Sequence, residues 1–141
     1  EHRKFSLLMY CDPYLDHGKC FLLQDDQGEI QGYILCAESY ASFKEYIQEY
    51  FEQIKKVAPS FVYRCDISEY EAYQEEYPAH LHVDILENCC GNGSGTLKKE
   101  HVPGIMVGVA KNNQRAFNFY QKMGFQILEE AEYGYILGQK L

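Results

Sequence analysis

The apolar residues of this chain switch period repeatedly, and that switching most constrains the fold. Two apolar runs, Lys19 to Gln24 (KCFLLQ) and Glu29 to Ala37 (EIQGYILCA), flank Asp25-Asp26-Gln27-Gly28. A glycine-containing turn between such runs predicts a β-hairpin. Residues 41–58 then change to helical spacing. Phe43, Ile47, Tyr50, Phe51, Ile54 and Ala58 share one stripe, while Lys44, Glu45, Gln48, Glu49, Glu52 and Lys55 fill the opposite one. Ser39 or Ser42 is the expected cap, and Pro59 lies just past the end. His80 to Leu86 (HLHVDIL) alternates again, as a half-buried strand does. Gly104 to Val109 reads as a strand, Asn113 to Met123 as a helix ended by Gly124, and Tyr133 to Leu141 as a closing strand. Strand-like and helical segments thus alternate along the chain.

The remaining stretches are less regular. Phe5 to Tyr10 reads as a short helix, and Asp12-Pro13 as the start of a turn. Phe61-Val62-Tyr63 reads as a short strand, and the acidic, tyrosine-rich Glu69 to Tyr77 as a loop or helical turn.

The 141 residues suit a single domain spanning 1–141. Thirteen Tyr and eight Phe supply large buried area and argue against disorder. The formal net charge of −8 argues against nucleic acid and anionic membranes as partners. No apolar run approaches the ~20 residues of a membrane span. The six cysteines form no C-x-x-C pair, which favours reduced thiols in a cytoplasm.

Three segments can carry chemistry. Cys90-Gly91-Asn92-Gly93-Ser94-Gly95 offers backbone N–H groups unobstructed by bulky side chains, as an anion site requires, although plain turns use the same residues. It lacks the G-K-[ST] ending of a P-loop and does not fit G-x-G-x-x-G. Asn113 to Phe125 reads by itself as an amphipathic helix that packs Ala116, Phe119, Tyr120 and Met123 on a core. His80, His82 and Asp84 recur at i, i+2, i+4, so all three point to one face of a strand. Such a row suits a proton acceptor, or partly buried polar residues satisfied by neighbours. No further clustered ligand accompanies it, so no metal site is expected.

Taken together, the loop and the helix resemble the Gcn5-related N-acetyltransferase (GNAT) superfamily. The pattern N-x-x-A-x-x-F-Y-x-x-x-G-F stands here in full as Asn113, Ala116, Phe119, Tyr120, Gly124 and Phe125. Gly93 and Gly95 match the family's pyrophosphate motif, while Cys90 stands where Gln or Arg is usual. The segments Tyr77 to Leu86 and Gly104 to Val109 look like those of bacterial members related to the acetyltransferase-like domain of O-GlcNAc hydrolases. His-x-His is also similar to that of arylalkylamine N-acetyltransferases, offset by one residue.

The resemblance implies an α/β (α+β) fold of the GNAT type, with a mixed, twisted central sheet, helices on both faces, and acetyl-CoA as co-substrate in a cleft between splayed strands. Ile85 and Leu86 would pair with the pantetheine arm, and Gly91, Asn92, Gly93, Ser94, Gly95 and Thr96 would hold the pyrophosphate. Asn113 and Phe119 would line the arm, and Tyr120 would point its hydroxyl at the sulfur. The implied activity is direct acetyl transfer to an amine of a small molecule or protein, with Tyr120, His82 and Asp84 as catalytic residues. A catalytically inactive GNAT module is the alternative, a homodimer is an open assembly state, and the acidic segment 66–77 motivates a protein-interaction reading. Only six residues separate Gly95 from Val102, fewer than the family's helix needs, so a segment is expected to be absent near Thr96.

Overall fold

The computed structural model describes residues 1–86 and 102–141. The chain begins with two helices, α1 (His2–Tyr10) and α2 (Asp12–His17). Asp12-Pro13 lies in the first turn of α2, where a missing N–H costs nothing, so this pair opens a helix. The hairpin follows as β1 (Lys19–Gln24) and β2 (Ile30–Ala37). Its turn is fastened by Asp25, whose Oδ1 accepts from the Gln27 and Glu29 N–H groups at 2.9 Å each.

Helix α3 (Tyr40–Val57) begins at Ser39, which accepts from the Ser42 N–H at 3.3 Å; Ser39 is therefore the cap. Its stripe of Phe43, Ile47, Phe51 and Ile54 packs on one sheet face with Phe5, Met9 and Tyr14 of the first two helices. Phe61-Val62-Tyr63 is not a strand. It lies in a 3-10 helix, Pro59–Arg64, whose turn closes through Phe61 N–H to Ala58 O and Cys65 N–H to Val62 O. Local turn bonds after Pro59 satisfy that backbone, and the Phe61 ring stacks on Phe5 with centroids 5.0 Å apart. A second 3-10 helix, Ser68–Tyr73, fills the acidic segment.

The sheet is completed by β3 (Ala79–Ile85), β4 (Gly104–Ala110), β5 (Gln126–Glu130) and β6 (Gly134–Lys140). Its order is β1-β2-β3-β4-β6-β5. Every pairing is antiparallel except β3 with β4. Strand β5 was not anticipated from the sequence. A register shift between Ile127 and Glu129 breaks the alternation that would have shown it. Helix α4 (Gln114–Lys122) packs Tyr120 on the face opposite α3, against Leu81, Ile105, Val107 and Leu137. Gly124 follows in the left-handed region at φ 91°, as the residue after a helix often does.

Phe43 ties α3 to the sheet centre, with its ring 4.5 Å from His80 and 5.2 Å from Tyr14. Phe43→Ala is expected to lower unfolding free energy by about 3–5 kcal/mol in a urea melt.

Candidate active site

Strands β3 and β4 share only two residue pairs, Ala79 with Ile105 and His80 with Met106. Beyond them β3 continues to Ile85 against β2, and β4 continues to Ala110 against β6. The two strands therefore part in the middle of the sheet. Leu86 donates its N–H to Gln31 O on the β2 side at 2.8 Å. Peptide groups alternate sides along a strand, so those of Val83 and Ile85 face the β4 side. The Ile85 peptide therefore faces away from β2, and the Leu86 N–H is bonded to β2.

The row on β3 forms as its spacing predicts, but its members differ in environment. His80 is 1% exposed and is enclosed by Phe43, Tyr14, Tyr40 and Tyr70, the last stacked on it at 5.3 Å. Its Nε2 lies 3.0 Å from the Tyr14 hydroxyl. Burial pushes the His80 pKa down to about 3. His82 is half-buried, with edge contacts to Tyr10 and Tyr14, and burial takes it down to about 4 despite the Asp84 carboxylate nearby. Both imidazoles are therefore neutral near pH 7, and both are weak proton acceptors. Asp84 is exposed and accepts from the Tyr33 hydroxyl at 2.5 Å, directly across the β2–β3 ladder. Burial, with that bond, raises Tyr33 to about 12.

From the other face, α4 brings Tyr120 to the gap. Asn113 caps this helix, its Oδ1 accepting from the Ala116 N–H at 3.1 Å. The Tyr120 ring lies between Phe119 and Phe125, and its hydroxyl has no hydrogen-bond partner among the described residues. Burial raises its pKa, and the Asp84 carboxylate adds to the rise. Groups from both faces thus meet where the strands part.

A further set was missed by sequence reasoning. Gly108 lies on β4 past the shared pairs, and a Cβ there would stand 2.8 Å from the Tyr70 hydroxyl and 3.6 Å from Glu69 Oε1. Only glycine allows this approach. The Tyr70 hydroxyl therefore sits against the Gly108 backbone with the Glu69 carboxylate beside it. The acidic, tyrosine-rich segment was visible in the sequence, but nothing local linked it to β4.

The fold has counterparts among solved structures. The crystal structure of SsHAT matches with a TM-score of 0.79 and 22% identity, covering 96% of this chain and 80% of that one. A GNAT-family acetyltransferase from Listeria monocytogenes 4b F2365 matches at 0.52 and 12%, covering 91% and 67%. PH1933 from Pyrococcus horikoshii OT3 matches at 0.51 and 14%, covering 99% and 72%. No family model matches the chain. The fold is that of the GNAT acetyltransferases. At these identities the likeness carries the fold, not a substrate.

Within this GNAT fold, Gly91, Asn92, Gly93, Ser94, Gly95 and Thr96 lie outside the described residues, as does the short segment up to His101. Among the described residues no three potential metal ligands come together. No described helix is long and apolar enough to cross a membrane.

The two depressed histidines predict an acid-sensitive fold. Their neutral forms favour the folded state fully above pH ~6.5, and that contribution is lost as pH falls toward about 4 and about 3. Unfolding free energy should fall by up to about 1.4 kcal/mol per pH unit for each histidine between pH 6 and 4. His82→Gln should remove one histidine's share of that slope in chemical melts at stepped pH.

Proposed function

We propose that this chain is an acetyl-CoA-dependent N-acetyltransferase that moves an acetyl group directly to an amine of a small molecule or protein. The observation that carries this reading is the parting of β3 and β4 beyond His80–Met106, with a Tyr120 hydroxyl that has no hydrogen-bond partner among the described residues and lies within electrostatic reach of Asp84. Acetyl-CoA supplies an activated acetyl thioester and a long polar arm. A strand edge turned toward the gap suits that arm, because an amide-bearing chain pairs with a strand as another strand does. Val83, whose peptide group faces the gap, would provide this edge, and Ile85 and Leu86 remain our assignment on the strength of the motif. Asn113 has its Oδ1 committed to the helix cap, so its amide nitrogen is the group left for the arm. Phe119, half-buried beside Tyr120, would pack along it. The Gly91–Thr96 amides remain our assignment for the pyrophosphate, on the strength of the motif.

The raised Tyr120 pKa refines its role. A thiol titrates near ~8.5 and a phenol near ~10, so complete transfer from Tyr120 to a departing thiolate is uphill. Tyr120 is better suited to hold a hydrogen bond on the sulfur and to pass on a proton received from the attacking nitrogen. His82 and Asp84 face the opposite side, where an acceptor amine would approach. The weak basicity of His82 makes it a modest proton acceptor, and Asp84 is engaged by Tyr33.

The finer assignments are ours as well. Residues 1–141 act as one catalytic domain, within the branch related to O-GlcNAc hydrolase acetyltransferase-like domains, in a reducing cytoplasm. Cys11, Cys20, Cys36 and Cys65 are free thiols, which supports the last point.

Calorimetric titration with acetyl-CoA should show saturable binding, and wild-type protein should release CoA in the presence of primary amines. Tyr120→Phe should lower kcat by roughly 10²-fold or more with the acetyl-CoA Kd nearly unchanged. No binding heat would sink the reading; binding without CoA release would favour an inactive module.

A further inference from the structure

The gap between β3 and β4 has a carboxylate on its β4 side that the proposed reaction has not used. Glu69 stands at the start of the 3-10 helix Ser68–Tyr73, which lies over β4 on the face opposite α4. Its Oε1 is 3.6 Å from where a Gly108 Cβ would be, and the Tyr70 hydroxyl is 2.8 Å from the same point. The Tyr70 ring is fixed by stacking on His80. The Glu69 carboxylate therefore stands beside the Tyr70 hydroxyl at Gly108, two residues past the last pair that joins β4 to β3.

We infer that Glu69 is the catalytic base, accepting a proton from the ammonium form of the acceptor amine, and that Tyr70 is its positioning residue. This rests on the acetyltransferase reading above. The approach side is consistent with the chemistry. Tyr120 reaches the gap from the α4 face, so an attacking nitrogen opposite the departing sulfur comes from the face that carries Glu69, His82 and Asp84. Of these three, His82 is a weak acceptor and Asp84 is bonded to Tyr33. Glu69 has no cationic partner among the described residues, while neighbouring Glu71 is paired with Lys44.

The groups facing Glu69 all favour proton uptake except one. Glu69 is exposed as a residue, yet partial desolvation of its carboxylate raises its pKa, as do Asp66 and Glu129, and the Tyr70 hydroxyl lowers it. Asp66 precedes the 3-10 helix, and Glu129 on β5 accepts from Tyr73. In the reaction the ammonium gives one proton to Glu69, which passes it to solvent. The nitrogen lone pair then forms the N–C bond as the C–S bond breaks. The second nitrogen proton reaches the sulfur through Tyr120, which ends protonated. The sum is ammonium plus thioester to amide, thiol and one released proton.

The test compares wild type with Glu69→Gln and Tyr70→Phe, using acetyl-CoA with phenethylamine, spermidine and a lysine-bearing peptide. Glu69→Gln should keep the melting temperature and the acetyl-CoA Kd while lowering kcat/KM at neutral pH by roughly 10²-fold. The defect should shrink as pH rises toward the amine pKa near ~10, where the acceptor is already neutral. Tyr70→Phe removes the bond that lowers the Glu69 pKa, so the acid limb of its rate profile should move to higher pH. A Glu69→Gln profile within threefold of wild type at every pH, or a defect equal at every pH, overturns the proposal alone. Failure of wild type to bind acetyl-CoA, or to acetylate any of the amines, overturns it together with the acetyltransferase reading.

Discussion

The architecture depends on how little joins β3 to β4. Strands β1, β2 and β3 form one antiparallel unit, and β4, β6 and β5 form another. Two parallel residue pairs connect them within the sheet, ending at His80 and Met106. Each strand beyond that point is held by its outer neighbour, so twist carries the two units apart instead of being shared across a continuous ladder. The cleft is therefore a consequence of pairing, not an excavation in a finished sheet. Packing keeps the join intact. Met106 is fully buried among Ile136 of β6 and Tyr40, Tyr70 and Tyr77, which come from the segments between β2 and β3.

His80 at this join is a structural residue, despite being a histidine in a candidate active site. Tyr14 is buried and carries a hydroxyl that needs a partner, and His80 Nε2 meets that need. The surrounding aromatic rings hold the imidazole neutral. The pair also fixes register. A one-residue slip of β3 would turn His80, His82 and Asp84 toward α4 and put Leu81 and Val83 under α3. Such a slip would leave Tyr14 without its acceptor and bury charge under the wrong helix, so one buried polar contact discriminates strongly between the two registers.

What could be read from the sequence follows from the range of the interactions involved. The hairpin, α3 and α4 are set by signals a few residues apart: the Asp25 turn, the Ser39 cap, the Asn113 cap and Gly124. Tyr120 and the β3 row were legible for the same reason, since both follow from spacing within one element. The partners that define their chemistry were not. Tyr14 meets His80 across 66 residues and Tyr33 meets Asp84 across 51, and no local pattern announces either. Glu69 was hidden twice, because its segment looked like a solvated acidic loop and its target is a glycine with no side chain to mark it. Strand β5 was concealed by its bulge, and Phe61-Val62-Tyr63 by β-favouring residues placed where Pro59 starts a turn.

Alternation along β3 and β4 keeps the two faces of the sheet chemically separate. Leu81, Ile105, Val107 and Val109 face α4 in an apolar layer, while His80, His82, Asp84 and Gly108 face the tyrosine-rich side. A proton crossing from one face to the other would meet that apolar layer wherever the strands are paired. Where they part, the Asp84 carboxylate acts on Tyr120 across the sheet. The coupling is electrostatic and needs no contact between the groups. On the proposed reaction this matters more than the strength of any one acid or base. The nitrogen loses its protons on one face and the sulfur gains one on the other, and the gap is where a short hydrogen-bonded path can join them.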